Sequence, residues 1–287
     1  MLNAALSIAF DGLAYAMMLF IVSVGLSVTM GLMGFVNLAH GAFAMAGGYA
    51  LVTLMARVGL SFPAALVGAA VIVAAASLVL ERLLYARLYR AGELDQVLMS
   101  IGLVFMAIAV TTFIYGPAPP SIRVPDWLRG QVDLGFRSFP TYRAAMIVIG
   151  FAMIGLLWWG LEGTMVGTRI RAAVDNRRMA QSLGIDVDRL FMLTFALGSG
   201  LAALGGGLAI EIVGMSPHFA VQYLVYFLIV VAVGGLGSVR GAFLAAILLG
   251  VIDTAGKYLW PEGGAFFIYV VAIAVLLARP QGLFGRG

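Results

Sequence analysis

Long apolar runs alternate with short polar interruptions along the whole chain. The apolar stretches fall at roughly 5–30, 32–55, 61–83, 96–115, 144–161, 190–213, 222–236, 241–258 and 264–279. Some, such as 64–80 and 266–278, contain no charged residue. A helix needs about 20 apolar residues to cross a bilayer, and in lipid it is the element that satisfies its own backbone. The pattern therefore predicts an all-α fold, a polytopic transmembrane helical bundle of about 8–9 spans in one domain covering 1–287. The second stretch follows Gly31 and contains Gly34, Asn37, His40, Gly41, Gly47 and Gly48, so it reads as a candidate broken or re-entrant helix. Nine full crossings would put the first residues on the side opposite the C-terminus, and eight on the same side; the pattern leaves the two open.

The polar interruptions are unequal. Segment 162–189 carries five arginines and 81–96 reads as a charged loop, whereas 116–142 holds five prolines and little helical periodicity. The latter predicts a long exterior loop with room for a hairpin or short helix. Basic residues favour the cytoplasmic side. With 162–189 inside, eleven Lys and Arg lie on that side and six on the other. The expectation is a cytoplasmic coupling loop at 162–189, an exterior loop at 116–143 and a cytoplasmic C-terminus. The opening Met1, Leu2, Asn3 and Ala4 shows no basic n-region or cleavage site and reads as a retained first span.

Composition narrows the class. The chain is 63% hydrophobic and 10% charged, where soluble domains have about 25% charged residues. Its 37 glycines among 287 residues favour close helix packing and irregular segments. A formal charge of +4 follows from the arginine loops and does not point to nucleic acid. With no cysteine, disulfides and thiolate metal sites are excluded.

Candidate chemistry is sparse. Asn37 and His40 stand three apart in an apolar stretch, on one helical face, and each needs a partner away from water. With Gly41 they either line a substrate pathway or form an inter-helix hydrogen bond that fixes packing. Gly234, Gly235 and Gly237 likewise either make a tight hairpin between spans or a broken helix beside the pathway. Gly198 to Ala203 fits a loose dinucleotide fingerprint but lacks a preceding strand. Gly250 to Lys257 has one residue too many for a phosphate loop, and Tyr258 stands where Ser or Thr is needed. The chain thus carries no ATPase site, no catalytic residue and no metal site of its own. Asp11, Glu211 and Asp253 all lie near span ends, within reach of an interface, which counts against an ion-coupled secondary transporter.

Between Asn176 and Ile185 the spacing predicts a short helix whose apolar members Met179, Ala180 and Leu183 share a face. Gly184 would end it in a left-handed conformation.

Several segments, taken in order, resemble the LivH-type permease subunits of branched-chain amino-acid ABC importers. They are Gly31 to Gly41 with Met45 and Tyr49; Gly167 to Ala172 with Asn176, Ala180, Leu183, Gly184, Ile185 and Arg189; Gly234 to Ser238; and Arg279 to Gly285. The resemblance implies a subunit forming half of a translocation pathway in a bacterial inner membrane, with the 116–143 loop periplasmic. Its partners would be a LivM-like second permease, two cytoplasmic ATPases that bind ATP and Mg, and a periplasmic substrate-binding protein. By position, Arg169, Arg171, Asn176, Ala180, Leu183, Gly184 and Ile185 would belong to the segment that couples to an ATPase. The implied cargo is a small amino acid, branched-chain or aliphatic; the family also includes importers of urea and short amides.

Overall fold

The computed structural model describes all residues except 1, 34, 36, 90, 121–123, 134, 136, 286 and 287. Of the motif and charge assignments above, Gly34, Arg90, Arg123 and Arg286 lie outside the described residues. Helices α1 (Leu2–Met33), α2 (His40–Thr53), α3 (Phe62–Leu80), α4 (Ala86–Leu88), α5 (Glu93–Tyr115), α6 (Asp126–Arg129), α7 (Thr141–Glu162), α8 (Met165–Asp175), α9 (Arg177–Ser182), α10 (Val187–Val213), α11 (Phe219–Gln222), α12 (Leu224–Gly234), α13 (Val239–Leu259) and α14 (Phe267–Ala278) make up most of the chain. Among the described residues, seven segments are long and apolar enough to cross a membrane, and two shorter apolar helices, Phe219–Gly234 and Gly264–Ala278, accompany them. The chain is a multi-pass membrane protein.

The irregular stretches sit where the sequence forces them. The second apolar run is broken: Phe35 and Asn37 to Ala39 are not helical, and α2 starts inside the bundle. Its last turn widens into a π turn, Leu54–Val58, closed by Gly59 at φ 75°. A second π turn, Glu81–Tyr85, joins α3 to α4. The proline-rich loop forms the short helix α6 and a hairpin of β1 (Gln131–Asp133) and β2 (Ser138–Pro140), antiparallel with Val132 opposite Phe139. Phe139 is buried against Phe10, their ring centroids 4.1 Å apart.

Helices α1 and α10 form the centre. α1 lies along α13 and α10, and α10 also packs on α2 and α3. From Ala14 to Thr29 almost every residue of α1 is buried, as an all-round apolar helix must be when other helices surround it. The helices approach through small residues. A Cβ on Gly206 of α10 would strike the Ala44 carbonyl of α2, and one on Gly47 would strike the backbone of Ala203. Gly198 to Ala203, the loose dinucleotide fingerprint, is accordingly a helix-packing face.

The bundle has two distinct ends. At one, Arg143 pairs with Asp11, and Lys257 lies over the Tyr15 ring. The start of α1, the hairpin loop and the end of α13 therefore meet there. At the other, Gly31 touches Gly237, Arg240 pairs with Glu162, and the final segment bonds back through Leu283 N–H to the Val233 carbonyl (2.8 Å). The first described residues and the last thus lie at opposite ends, as an odd number of passes requires. We call the second the basic end, because the 162–189 segment belongs to it.

Candidate functional site

Asn37 and His40 each bond within the bundle. Asn37 is 2% exposed, and its Oδ1 accepts from the Ala39 N–H and the Tyr85 hydroxyl, both at 3.0 Å. The first bond caps the broken segment before α2; the second exists because the π turn swings Tyr85 inward. His40 donates from Nε2 to the Val22 carbonyl of α1 at 2.8 Å, and the carbonyl, being an acceptor only, fixes that tautomer. Gly41 lets Ala220 of α11 approach the first turn of α2. These residues weld α1, α2, the end of α3 and α11 together, and none of them lines the cavities described below.

Gly234, Gly235 and Gly237 form the turn from α12 to α13 at the basic end. Gly235 and Gly237 adopt φ of 98° and 79°, which side-chain-bearing residues rarely adopt. Gly237 sits on Gly31, and Gly235 on Gly285 of the final segment. Gly237 also borders a cavity of about 350 Å³ between the turn and α8, lined by Trp158, Ile170 and Arg171 among others.

Outside the bundle, the basic end carries two short helices. Thr164 caps α8 by accepting from the Gly167 N–H (3.2 Å), and α8 buries Gly167, Ile170 and Ala173 on one face. Asn176 caps α9 by accepting from the Met179 N–H (3.0 Å), and Asp186 caps α10 by accepting from the Arg189 N–H (3.0 Å). α9 ends as the sequence predicts. Gly184 takes φ 80°, its N–H reaches the Gln181 carbonyl (3.0 Å), and Ile185 N–H reaches the Ala180 carbonyl (3.1 Å). This double closure is a Schellman turn.

The expected shared face of α9 is corrected. Ala180 is 2% exposed and packs inward with Ala173, Val187 and Phe191, whereas Met179 and Leu183 are 58% and 73% exposed. Ala180 fastens the helix to the bundle, while Met179 and Leu183, four apart, form an outward apolar step. The arginines also differ. Arg171 donates to the Leu161 carbonyl at the end of α7 and to Thr168, and Arg177 pairs with Asp188 at 2.7 Å over the Phe191 ring. Arg169 and Arg178 are exposed. Beneath α9, Tyr89 donates to Glu81 Oε1 at 2.6 Å. Burial first, and then the Glu81 carboxylate, push this phenol well above its ordinary value, so it remains a donor.

The opposite end holds the second correction. Asp253 does not reach an interface: it is 1% exposed, and Lys257 one turn later binds its Oδ2 at 2.6 Å. An Asp and a Lys four apart in an apolar helix were visible in the sequence as a pair. The tyrosines around them were not, because Tyr15 comes from α1, Tyr223 and Tyr226 from the turn into α12 and α12 itself, and Tyr269 from α14. Together these groups line a cavity of about 690 Å³.

A bundle of apolar helices with a broken second span, short capped helices outside one end and a polar cavity at the other is that of a multi-pass helical membrane protein. Residues 8–276 match the family described as "Branched-chain amino acid transport system / permease component", and the chain belongs to that family. It is 27% identical to the high-affinity branched-chain amino acid transport system permease protein LivH of Escherichia coli (strain K12), over 96% of this chain and 94% of the relative. The same identity and coverage hold for the permease protein BraD of Pseudomonas aeruginosa. Among solved structures, PsaBC from Streptococcus pneumoniae in complex with Fab shares the fold, with a TM-score of 0.50 and 15% identity over 93% of this chain and 89% of that one.

Proposed function

We propose that this chain is the membrane subunit of an ATP-driven importer of a small aliphatic amino acid, coupled through α8 and α9 to a cytoplasmic ATPase. The observation that carries the coupling is the outward step of Met179 and Leu183 on a helix held rigid from beneath by Ala180 and stopped by Gly184. Exposed apolar side chains on a capped helix outside the membrane suit a protein partner. The chain forms half of the pathway, with a second permease forming the other half. Two ATPases bind ATP and Mg²⁺, and a periplasmic protein delivers the cargo. The names of LivH and BraD favour a branched-chain amino acid. The basic end faces the cytoplasm of a bacterial inner membrane by the positive-inside rule.

The test is reconstitution of the complex with its binding protein and L-leucine. Met179→Glu with Leu183→Glu is expected to lower both transport and substrate-stimulated ATP hydrolysis about tenfold or more, with insertion unchanged; one charge buried at an interface costs enough for that. Normal transport by the double variant assigns coupling elsewhere. The chain purified alone hydrolyses no ATP. Sidedness is read with single cysteines in the cysteine-free chain: an impermeant thiol reagent labels Ser138→Cys in intact spheroplasts and spares Gln181→Cys. The reverse labelling inverts the assignment.

A further inference from the structure

The cavity at the end opposite α8 and α9 contains one polar atom that the fold leaves unserved. Asp253 Oδ2 is bound by Lys257, but Oδ1 is buried and has no hydrogen-bond partner among the described residues. A carboxylate oxygen taken from water without a donor costs free energy that a ligand donor would recover. Asp253 is itself among the lining residues, and its side chain is 2% exposed, so a ligand donor meets Oδ1 once the Asp253 side chain turns toward that space.

The surroundings specify the donor. The charged lining groups are Asp11, Arg143, Asp253 and Lys257, two of each sign, so the cavity has no net field to attract a ligand of net charge. Its charges are nevertheless separated into an Asp11–Arg143 pair and an Asp253–Lys257 pair. Arg143 and Lys257 each spend one donor on those bonds and are 42% and 48% exposed, which leaves further N–H groups for an anion. The tyrosine rings supply apolar and π surface. Tyr226 stands 6.0 Å from Tyr269 and 5.9 Å from Tyr223, and the Tyr15 ring already holds the Lys257 ammonium 5.4 Å from its centroid. The volume, about 690 Å³, is of small-molecule size.

We propose that this cavity is a zwitterion-binding vestibule. The ammonium of a free α-amino acid donates to Asp253 Oδ1, its carboxylate accepts from Arg143 and Lys257, and its aliphatic side chain lies on the tyrosines. The site rests on the proposed function for its cargo, and it adds to the permease a recognition step separate from that of the binding protein. Selection here is for the paired charges, not for the length of the side chain.

The complex in nanodiscs tests it, with Gln222→Cys at the cavity lining as the only cysteine of this chain. L-Leucine is expected to slow alkylation of that thiol at least threefold. Leucine amide, which lacks the carboxylate, 4-methylpentanoate, which lacks the ammonium, and sodium chloride are expected to leave it unchanged. Asp253→Asn and, independently, Arg143→Gln each abolish the protection. Arg143→Gln leaves the buried Asp253–Lys257 pair intact and so decides the matter if Asp253→Asn folds poorly. Absence of protection by L-leucine, equal protection by either half-ligand or by salt, or protection that survives Arg143→Gln overturns the site. L-Leucine uptake by the same complex is measured in parallel. Uptake without protection removes the vestibule and keeps the importer; protection without uptake keeps the vestibule and removes the importer.

Discussion

Helices α1 and α5 are both apolar enough to cross a membrane, yet 83% of the α1 window is buried inside the protein and only 17% of the α5 window. Apolar character therefore does not mark the core of this bundle. In lipid there is no hydrophobic drive between helices, so the core forms where backbones can approach closely and where polar atoms find partners. α1 and its neighbours α2 and α10 have those features: glycine contacts at Gly25 and Gly198, the His40 bond to Val22, and the Thr29 hydroxyl bonded within its own helix. α5 instead turns Phe105, Met106 and Phe113 outward, and its Gly102 meets nothing within 4 Å.

The sharpest way to break this comparison is to place one side chain in each region. Gly206→Leu drives a branched chain into the Ala44 backbone, which no rotamer relieves, and overpacking of this kind costs about 1–3 kcal/mol or more. The expected outcome is loss of most monodisperse protein on detergent extraction, while Gly102→Leu behaves as wild type. Equal yields would show that close approach at α10 is dispensable. A smaller effect is expected for Asn37→Ala, which strips the acceptor from the Tyr85 hydroxyl and the Ala39 N–H. Leaving such buried donors unpaired costs about 1–3 kcal/mol, read as a lowered thermal unfolding midpoint. Phe113→Ala on the outer face, 92% exposed, is expected within about 0.5 kcal/mol of wild type. The smallest effect belongs to the arginines at the basic end. Arg177 and Asp188 are 43% and 77% exposed, and such pairs contribute about 0–1 kcal/mol. Arg177→Gln with Arg178→Gln is expected to change transport less than twofold, a result checked in the assay that reads the Met179 and Leu183 variants.

Much of the local structure was legible beforehand. The Gly184 turn, the short helix before it and the hairpin after the prolines follow from residues within a few positions of one another. The sided character of α9 was not. Met179, Ala180 and Leu183 are near neighbours on any helical projection, and only the position of Phe191 and Val187 beneath the helix makes Ala180 the buried one. Asp253 was misplaced for the same reason: its distance from a span end is a property of the chain, whereas its burial is a property of α1, α12 and α14 around it.

The sequence by itself determined that this protein lives in a membrane, roughly where it crosses, and where the short helix before Gly184 stops. Transfer into lipid, capping and backbone conformation depend on a few adjacent residues and add up locally. Tertiary structure alone decided which apolar helices are central, that Asn37 meets Tyr85 and Tyr142 meets the Leu208 carbonyl, and that four tyrosines share one cavity with Asp253. Those contacts join residues dozens of positions apart, and hydropathy carries no record of which surface of a helix another helix will cover.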